Sequence, residues 1–244
     1  METAELIEIV DREGRLLADT AAKAGVDALV PTCPDWRVRD LLSHLGRVHS
    51  WAARFVGEGL TDPVRPSVEP APADAELVPW YRETHRRLVE TLTEADPEVE
   101  CFTFLPGPAP LAFWARRQAH ETAIHRVDAE SAAGMDFSPV DPAFAADGID
   151  ELLSGLHSLE RSRLRTDTPR TLRFRATDQD AVWTVWVSDG VPRTERNDDG
   201  VADYELSGPV ADLYLALWNR LPHSALSGKG DLELAALWRE RGAI

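Results

Sequence analysis

The sequence has few cysteines and no long apolar run. Cys33 and Cys101 are the two cysteines of 244 residues and form no C-x-x-C pair, so a disulfide framework is not expected. No apolar stretch approaches the ~20 residues of a membrane-spanning helix, and the N-terminus is charged from its second residue, without the apolar core of a signal peptide. We therefore expect a soluble protein of the reduced cytoplasm.

Positive charge is also scarce. Lys and Arg number 26 against 42 Asp and Glu, which gives a formal net charge of −16, and carboxylates interrupt every cluster of Lys and Arg. A nucleic-acid partner or an anionic membrane surface is therefore not expected. The composition leaves monomer and homodimer open.

Hydrophobic periodicity predicts an α+β fold with two domains. Apolar residues recur at three- and four-residue steps in five segments, which indicates amphipathic helices. These run over about 6–24, 36–57, 75–95, 111–133 and 142–163. After Thr166, short alternating segments separated by turn residues predict an antiparallel meander, and two more helices follow. We expect a DinB-like helical bundle over residues 1–165 and a small α+β domain with an antiparallel sheet over residues 166–244.

The segment RRQAHETAIHRVDAE, from Arg116 to Glu130, contains the most informative motif. It differs from the H-E-x-x-H zinc-protease motif by one additional residue, so His120 and His125 point about 140° apart on a helix and cannot share an ion. Glu121 and His125 are four residues apart on one face, a spacing that lets two ligands bind one metal. A hydrogen-bonded Glu/His pair without metal is the alternative.

His44 is a candidate third ligand. It falls between Leu41 and Leu45 on the apolar stripe of the second helix, so an inward side chain is expected. Three inward polar groups are costly to bury unless they bind one another or a cation. Two histidines and one carboxylate leave a fourth coordination position open, as in catalytic zinc sites. The pattern favours Zn²⁺ and leaves Ni²⁺ or iron open.

Other polar residues near these motifs admit two interpretations. Arg117 and Asp128 continue the face of Glu121 and could either orient the ligands or end a solvated stripe. Surface positions are expected for His49, His85 and His120. Cys33 precedes a helix N-terminus, which favours a thiolate, but a packed small residue is the preferred interpretation.

Three segments resemble the mycothiol-dependent maleylpyruvate isomerase family of actinobacteria. They are VPTCPDWRVRDLLSHLGRVHSWA from Val30, the motif around Glu121, and YELSGPVADLYLALWNRLPHSAL from Tyr204. In that family a divalent metal is held by a histidine eight residues after a tryptophan and by an E-x-x-x-H pair. The resemblance therefore implies that His44, Glu121 and His125 bind the metal.

The resemblance also implies an activity. The family's open metal site binds and ionises mycothiol, a low-molecular-weight thiol, which then attacks a small electrophile, so a thiol S-transferase or an isomerase is implied. Arg220 matches a family arginine that binds an anionic group of substrate or thiol. The alternatives are a non-catalytic metal- or ligand-binding module and a metal-assisted hydrolase. The family's Gly-Trp-Thr turn is Asp35-Trp36-Arg37 here, so Asp35 is the expected helix cap.

Overall fold

The computed structural model of the chain describes residues 1–66, 71–107, 109–197 and 200–242. The segment 58–74 is rich in proline, which predicts a loop, and it lies partly outside the described residues. The chain divides into two compact units, Met1–Ser138 and Pro139–Ile244. Within the described ranges, every helix is too short or too polar to cross a bilayer.

The first unit is a bundle of four helices, which confirms the predicted helical fold of the N-terminal part of the chain. Its helices are α1 (Thr3–Ala24), α2 (Val38–Glu58), α3 (Asp74–Glu94) and α4 (Pro110–Ala132). α1 packs mainly on α4 and α3, and α2 packs mainly on α3 and α4, so the order around the bundle is α1, α4, α2, α3. Leu17, Leu41, Leu42 and Tyr81 are fully buried in its core, where the apolar stripes of the helices meet.

The start of α2 is fixed by Asp40. Its carboxylate accepts a hydrogen bond of 2.8 Å from the backbone N–H of Arg37, the residue just before the helix. The prediction that Asp35 caps α2 is therefore wrong. The cap position is occupied by Arg37, two residues after Asp35. An acidic residue in the first turn also interacts favourably with the helix dipole.

The helix α4 is buried on nearly all faces, and α1 and α2 both pack against it. Its enclosed side chains include charged groups, and Arg126, 1% exposed, lies between Glu13 at 2.8 Å and Glu130 at 2.6 Å. The predicted surface positions of His49, His85 and His120 are wrong. The relative exposure of His120 and His49 is 0%, and that of His85 is 4%.

The second unit contains a five-stranded mixed sheet, which confirms the α+β class. Its elements are α5 (Pro142–Asp150), a π turn (Glu151–Gly155), β1 (Arg170–Ala176), β2 (Val182–Val187), β3 (Arg193–Glu195), β4 (Tyr204–Gly208), α6 (Val210–Leu217), β5 (Ser227–Gly230) and α7 (Leu232–Arg241). The strand order is β3-β2-β1-β4-β5.

The sheet departs from an antiparallel meander at one pairing. β1 is antiparallel to β2, and β2 to β3, as predicted, but β1 is parallel to β4, with Leu172 opposite Tyr204. The chain passes through β2 and β3 without a helix and then returns, so that β4 pairs with the other edge of β1. The prediction of a purely antiparallel sheet is therefore wrong. The sequence Ser-Gly-Lys-Gly of β5 has no apolar alternation, so the sequence pattern does not predict this strand.

The division between the units falls at 138/139 rather than at 165/166. α5 packs against α6. Asp150, at the end of α5, accepts a hydrogen bond of 2.7 Å from the Trp183 indole on β2, and the Leu153 carbonyl accepts one of 3.0 Å from Thr194 on β3. The fifth predicted helix therefore belongs with the sheet. Its α-helical part ends at Asp150, and helical turns continue through the π turn and a 3-10 turn (Leu156–Ser158), so the helical stretch ends five residues before the predicted Arg163.

Candidate metal centre

A short ordered loop before α2 places an aromatic ring beside the candidate ligands. The N–H of Val30 donates to the Trp36 carbonyl at 2.9 Å, and the N–H of Trp36 donates to the Cys33 carbonyl at 2.8 Å. The Trp36 ring stacks on the imidazole of His125, with centroids 5.7 Å apart and 18° between planes. Its centroid lies 5.1 Å from that of His44. The indole thus covers one side of both imidazoles.

The three predicted ligands converge. His44 on α2 and Glu121 and His125 on α4 offer ligand atoms that all lie within 4.8 Å of one another. Nε2 of His44 lies 2.9 Å from Oε1 of Glu121, and Nε2 of His125 lies 3.5 Å from the same oxygen. Two imidazole nitrogens and one carboxylate oxygen therefore face a common point, which is a donor set that suits Zn²⁺.

The carboxylate of Glu121 is held in its ionised form. Burial alone would raise the pKa of Glu121, but hydrogen bonds with His125 and His44 and the charge of Arg117 outweigh it, so the pKa lies well below its usual range. Nη2 of Arg117 donates to Oε2 of Glu121 at 2.9 Å. Arg117 is thus bound to one carboxylate oxygen, while the other oxygen faces the two histidines.

Asp128 fixes the orientation of His125. Its carboxylate is fully buried and accepts a hydrogen bond of 2.7 Å from Nδ1 of His125. It also accepts one of 2.6 Å from the Thr32 hydroxyl and one of 3.5 Å from the Cys33 thiol. Burial would lower the pKa of His125, but the hydrogen bonds to Asp128 and Glu121 outweigh it and raise the pKa. Because Nδ1 carries the proton, Nε2 is the nitrogen that can bind a metal.

A shallow pocket of about 550 Å³ opens beside His44. Its volume is within the range of small-molecule sites, roughly 300–1,000 Å³. The lining residues are Asp35, Trp36, Asp40, Ser43, His44, Arg47, Val48 and Pro66. The pocket places polar and charged side chains next to one of the candidate ligands.

Family models match most of the chain on both sides of the unit boundary. Residues 7–130 match the mycothiol maleylpyruvate isomerase N-terminal domain, and residues 143–237 match the C-terminal domain of the same family. The chain belongs to the mycothiol maleylpyruvate isomerase family. The boundary at 138/139 falls between the two matched segments.

Solved structures with the same fold bear the name of this family. A mycothiol-dependent maleylpyruvate isomerase is 13% identical with a TM-score of 0.66, and a histidine-to-alanine mutant of such an isomerase is 12% identical with a TM-score of 0.67. Each comparison covers 94% of this chain and 93% of the other chain. No curated protein sequence matches the chain.

Not every residue expected from the family pattern lies where the sequence suggested. The side chain of His44 is 36% exposed, so it lies at the edge of the core rather than within it. Arg117 and Asp128 contact Glu121 and His125, which favours an orienting role over a solvated stripe. Arg220 lies in the second unit, where its Nη1 donates to the Trp218 carbonyl at 2.7 Å.

Two contributors were missed by sequence reasoning. Thr32 binds Asp128 from a loop 96 residues away in the chain, and no local pattern signals such a contact. Arg47 lines the pocket; its position three residues after His44 places it on the same helix face, which the sequence could have revealed.

Proposed function

We propose that the protein is a metal-dependent enzyme that uses mycothiol to attack a small electrophile. The observation that carries this proposal is the convergence of His44, Glu121 and His125 within 4.8 Å. Membership of the mycothiol maleylpyruvate isomerase family supports the choice of thiol, and the similar solved structures, named as maleylpyruvate isomerases, support an isomerase.

The donor set fits a catalytic zinc ion. Two histidines and one carboxylate hold the metal and leave a coordination position open, whereas structural zinc sites usually use four protein ligands. A bound Zn²⁺ would favour thiolate over thiol at neutral pH. Glu121 is ready to bind a cation because its pKa lies well below the usual range.

The surrounding residues of the chain serve binding and orientation. Asp128 keeps the Nδ1 proton of His125 in place, and Arg117 holds the outer oxygen of Glu121. Trp36 shields the imidazoles from water on one side, which strengthens charge interactions at the site. The pocket beside His44 is where we place the electrophile. Arg220 remains our proposed contact for an anionic group of substrate or thiol.

The metal assignment is tested by substitution of one ligand. Purified wild-type protein is expected to hold about one zinc ion per chain, and His44→Ala is expected to lose most of it, because two ligands on α4 alone bind zinc weakly. His223→Gln, in the second unit, is the matched control and is expected to keep full occupancy. Full zinc content in His44→Ala would refute the assignment.

The thiol chemistry is tested with the zinc-loaded protein and maleylpyruvate or another small electrophile. Formation of isomer or thiol conjugate only when mycothiol is present supports the proposal. Hydrolysis without thiol would instead indicate a metal-assisted hydrolase. Zinc binding with neither turnover nor a thermal shift by mycothiol would indicate a non-catalytic binding module.

A further inference from the structure

The segment that follows α2 turns back along the same helix. Directly after the helix, Gly59 adopts the left-handed conformation, with a φ of 60°. Residues 60–66, which we call the strap, then run back toward the start of α2, because Pro66 lines the pocket together with His44 and Val48. The strap thus connects the end of α2 with the neighbourhood of the candidate metal centre.

The strap has little slack. Gly59 follows Val48 by 11 residues and His44 by 15, so about 17–23 Å of helix axis separates the start of the strap from the pocket, at ~1.5 Å per residue. The seven residues of the strap span at most about 23–25 Å when fully extended. A contact that holds the strap near its end therefore also fixes the position of Pro66.

The indole of Trp51 makes such a contact. Its Nε1 donates a hydrogen bond of 2.6 Å to the carbonyl of Val64. Within the described ranges, no second hydrogen bond joins residues 61–66 to the bundle. Pro63 and Pro66 have no backbone N–H, so this part of the strap has few donors with which to form one. The position of Val64 thus depends on the indole N–H.

The Trp51 ring is itself held by other aromatic rings. It stacks on Phe104 with 18° between the ring planes, and it contacts Phe55 and Trp114 edge-on, with centroids 5.2 Å apart in both pairs. Phe55 and Trp114 are fully buried. Aromatic pairs in these arrangements stabilise a defined ring orientation. The indole N–H therefore has a fixed direction, and the strap is held where that direction requires.

We propose that Trp51 is a positioning residue that sets the size of the molecules that reach the candidate metal ligands. Through Val64, it holds Pro66 as one wall of the pocket beside His44. The inference rests on the proposed function, because the molecules selected are the electrophiles of that function. A fivefold change in how often the wall is open corresponds to about 1 kcal/mol, which is the typical net contribution of one hydrogen bond.

Thiol labelling of the full-length protein tests this proposal. Val48→Cys places a thiol in the pocket, and peptide mass spectrometry distinguishes its labelling from that of the two native cysteines. N-ethylmaleimide is the small reagent and N-(1-pyrenyl)maleimide the bulky one. In this parent variant, Trp51→Phe keeps an aromatic ring but removes the N–H. It is expected to raise the rate with the bulky reagent at least fivefold and the rate with the small reagent less than twofold.

Pro66→Gly, which removes the wall itself, is expected to have the same effect and leaves the aromatic rings untouched. A change that only loosens the bundle would instead raise the rates with both reagents together. Thermal unfolding shows whether each variant is folded at the temperature of labelling.

Trp114→Phe is the matched control. Nε1 of Trp114 also donates to a backbone carbonyl, that of Phe102 at 3.0 Å, but Phe102 lies outside the strap. We expect less than a twofold change with either reagent. The proposal is overturned if Trp51→Phe or Pro66→Gly reacts with the bulky reagent as the parent does, or if both rates rise together. It is also overturned if Trp114→Phe has the effect of Trp51→Phe, or if the parent does not discriminate between the reagents.

The outcome is separable from that of the proposed function. Labelling requires neither zinc nor mycothiol, so it stays measurable if the metal or the thiol assignment fails. With the proposed function in place, Trp51→Phe is expected to raise kcat/KM for a bulky electrophile relative to a small one at least fivefold, with unchanged zinc content. Zinc binding and turnover with an unchanged ratio would refute the role of Trp51 alone.

Discussion

Among single side chains, Asp128 connects the loop before α2 to the candidate metal centre. Its buried carboxylate accepts hydrogen bonds from Thr32 and Cys33 of that loop and from His125 of α4. The orientation of His125 thus depends on a residue that does not itself face the metal position. Partners of this kind raise the basicity of a ligating histidine and fix its tautomer.

We expect Asp128→Asn to weaken zinc binding by about 10- to 100-fold, because the neutral amide is a poorer acceptor for Nδ1 of His125. Zinc affinity is measured by competition with a chromogenic chelator. Asp62→Asn removes an equal charge from an exposed position and should leave the affinity unchanged. Equal affinities in both variants would show that Asp128 has no orienting role.

His157 makes the stability of the second unit depend on pH. Burial lowers the pKa of His157 from the ordinary value of 6.5 to about 4, and the charge of Arg165 adds to this effect. The folded state therefore binds this proton less readily than the unfolded state. The neutral ring contributes fully to the free energy of unfolding above about pH 6.5. As the pH falls to about 4, this free energy decreases by about 3 kcal/mol.

Urea unfolding at pH 7 and pH 4 tests this prediction. Wild type is expected to lose about 3 kcal/mol more unfolding free energy between these pH values than His157→Phe, which cannot titrate. The variant also loses hydrogen bonds to Ser162 and the Gly242 carbonyl, so its absolute stability is lower at pH 7. Parallel losses in the two proteins would refute the assignment.

The three candidate ligands were predictable because each lies at a helical spacing from its neighbours. Their ligand atoms lie within 4.8 Å of one another, and metal binding by them stays a prediction. The sequence does not predict the partners around them. Whether Thr32 reaches Asp128 depends on residues that are distant in the chain. Periodicity identifies the face on which a side chain lies but not what lies opposite that face.

Among the helices, α4 shows why the sequence pattern does not predict the burial of polar residues correctly. Periodicity assumes one apolar face and one solvated face, but α4 contacts its neighbours on nearly all sides. Its polar residues are therefore enclosed and bind one another or residues of α1 and α2, as Arg126 does with Glu13. The sequence predicts a surface position for His120 because a polar residue off the ligand face is usually solvated.

The contact between α2 and α3 depends on Gly46. A Cβ at this position would lie 2.2 Å from Cζ3 of Trp80. We expect Gly46→Ala to destabilise the bundle by about 1–3 kcal/mol, because overpacking outweighs the gain of about 1 kcal/mol in helix propensity. The displacement of α2 should also lower zinc affinity, since His44 is two residues away.

Gly57→Ala on the same helix is the control for this prediction. Its new Cβ would meet a side-chain methyl group of Thr91 at 3.3 Å, so a change within about 1 kcal/mol is expected. Thermal and urea unfolding measure both variants. Equal stabilities of the two variants would show that Trp80 moves away without cost.

For the molecule as a whole, the unit boundary has a direct test. All three candidate ligands and Asp128 lie before residue 138, within the first unit. A fragment of residues 1–138 is expected to be helical, monodisperse and able to bind zinc. A fragment of residues 1–165 adds α5 without α6 and exposes the apolar side chains of Phe144 and Ile149, which are buried in the whole chain. It is expected to aggregate.

Circular dichroism, gel filtration and zinc analysis of the two fragments decide between the boundaries. A well-folded 1–165 beside an unfolded 1–138 would restore the boundary at 165. The sequence predicts two domains and places α5 with the bundle, because one predicted helix follows another there and the alternating strand pattern begins only after Thr166. Only the contacts of α5 with α6 reveal the unit to which it belongs.

The parallel pairing of β1 with β4 affects the order in which the chain can fold during synthesis. β4 begins about 30 residues after β1 ends, which takes roughly 1–6 s at translation rates of 5–20 residues per second. Until then, one edge of β1 has unpaired backbone groups that another chain can pair with. The yield of folded protein therefore depends on whether β4 is synthesised before unfinished chains collide. Expression at a level that keeps the concentration of unfinished chains low favours the folded product.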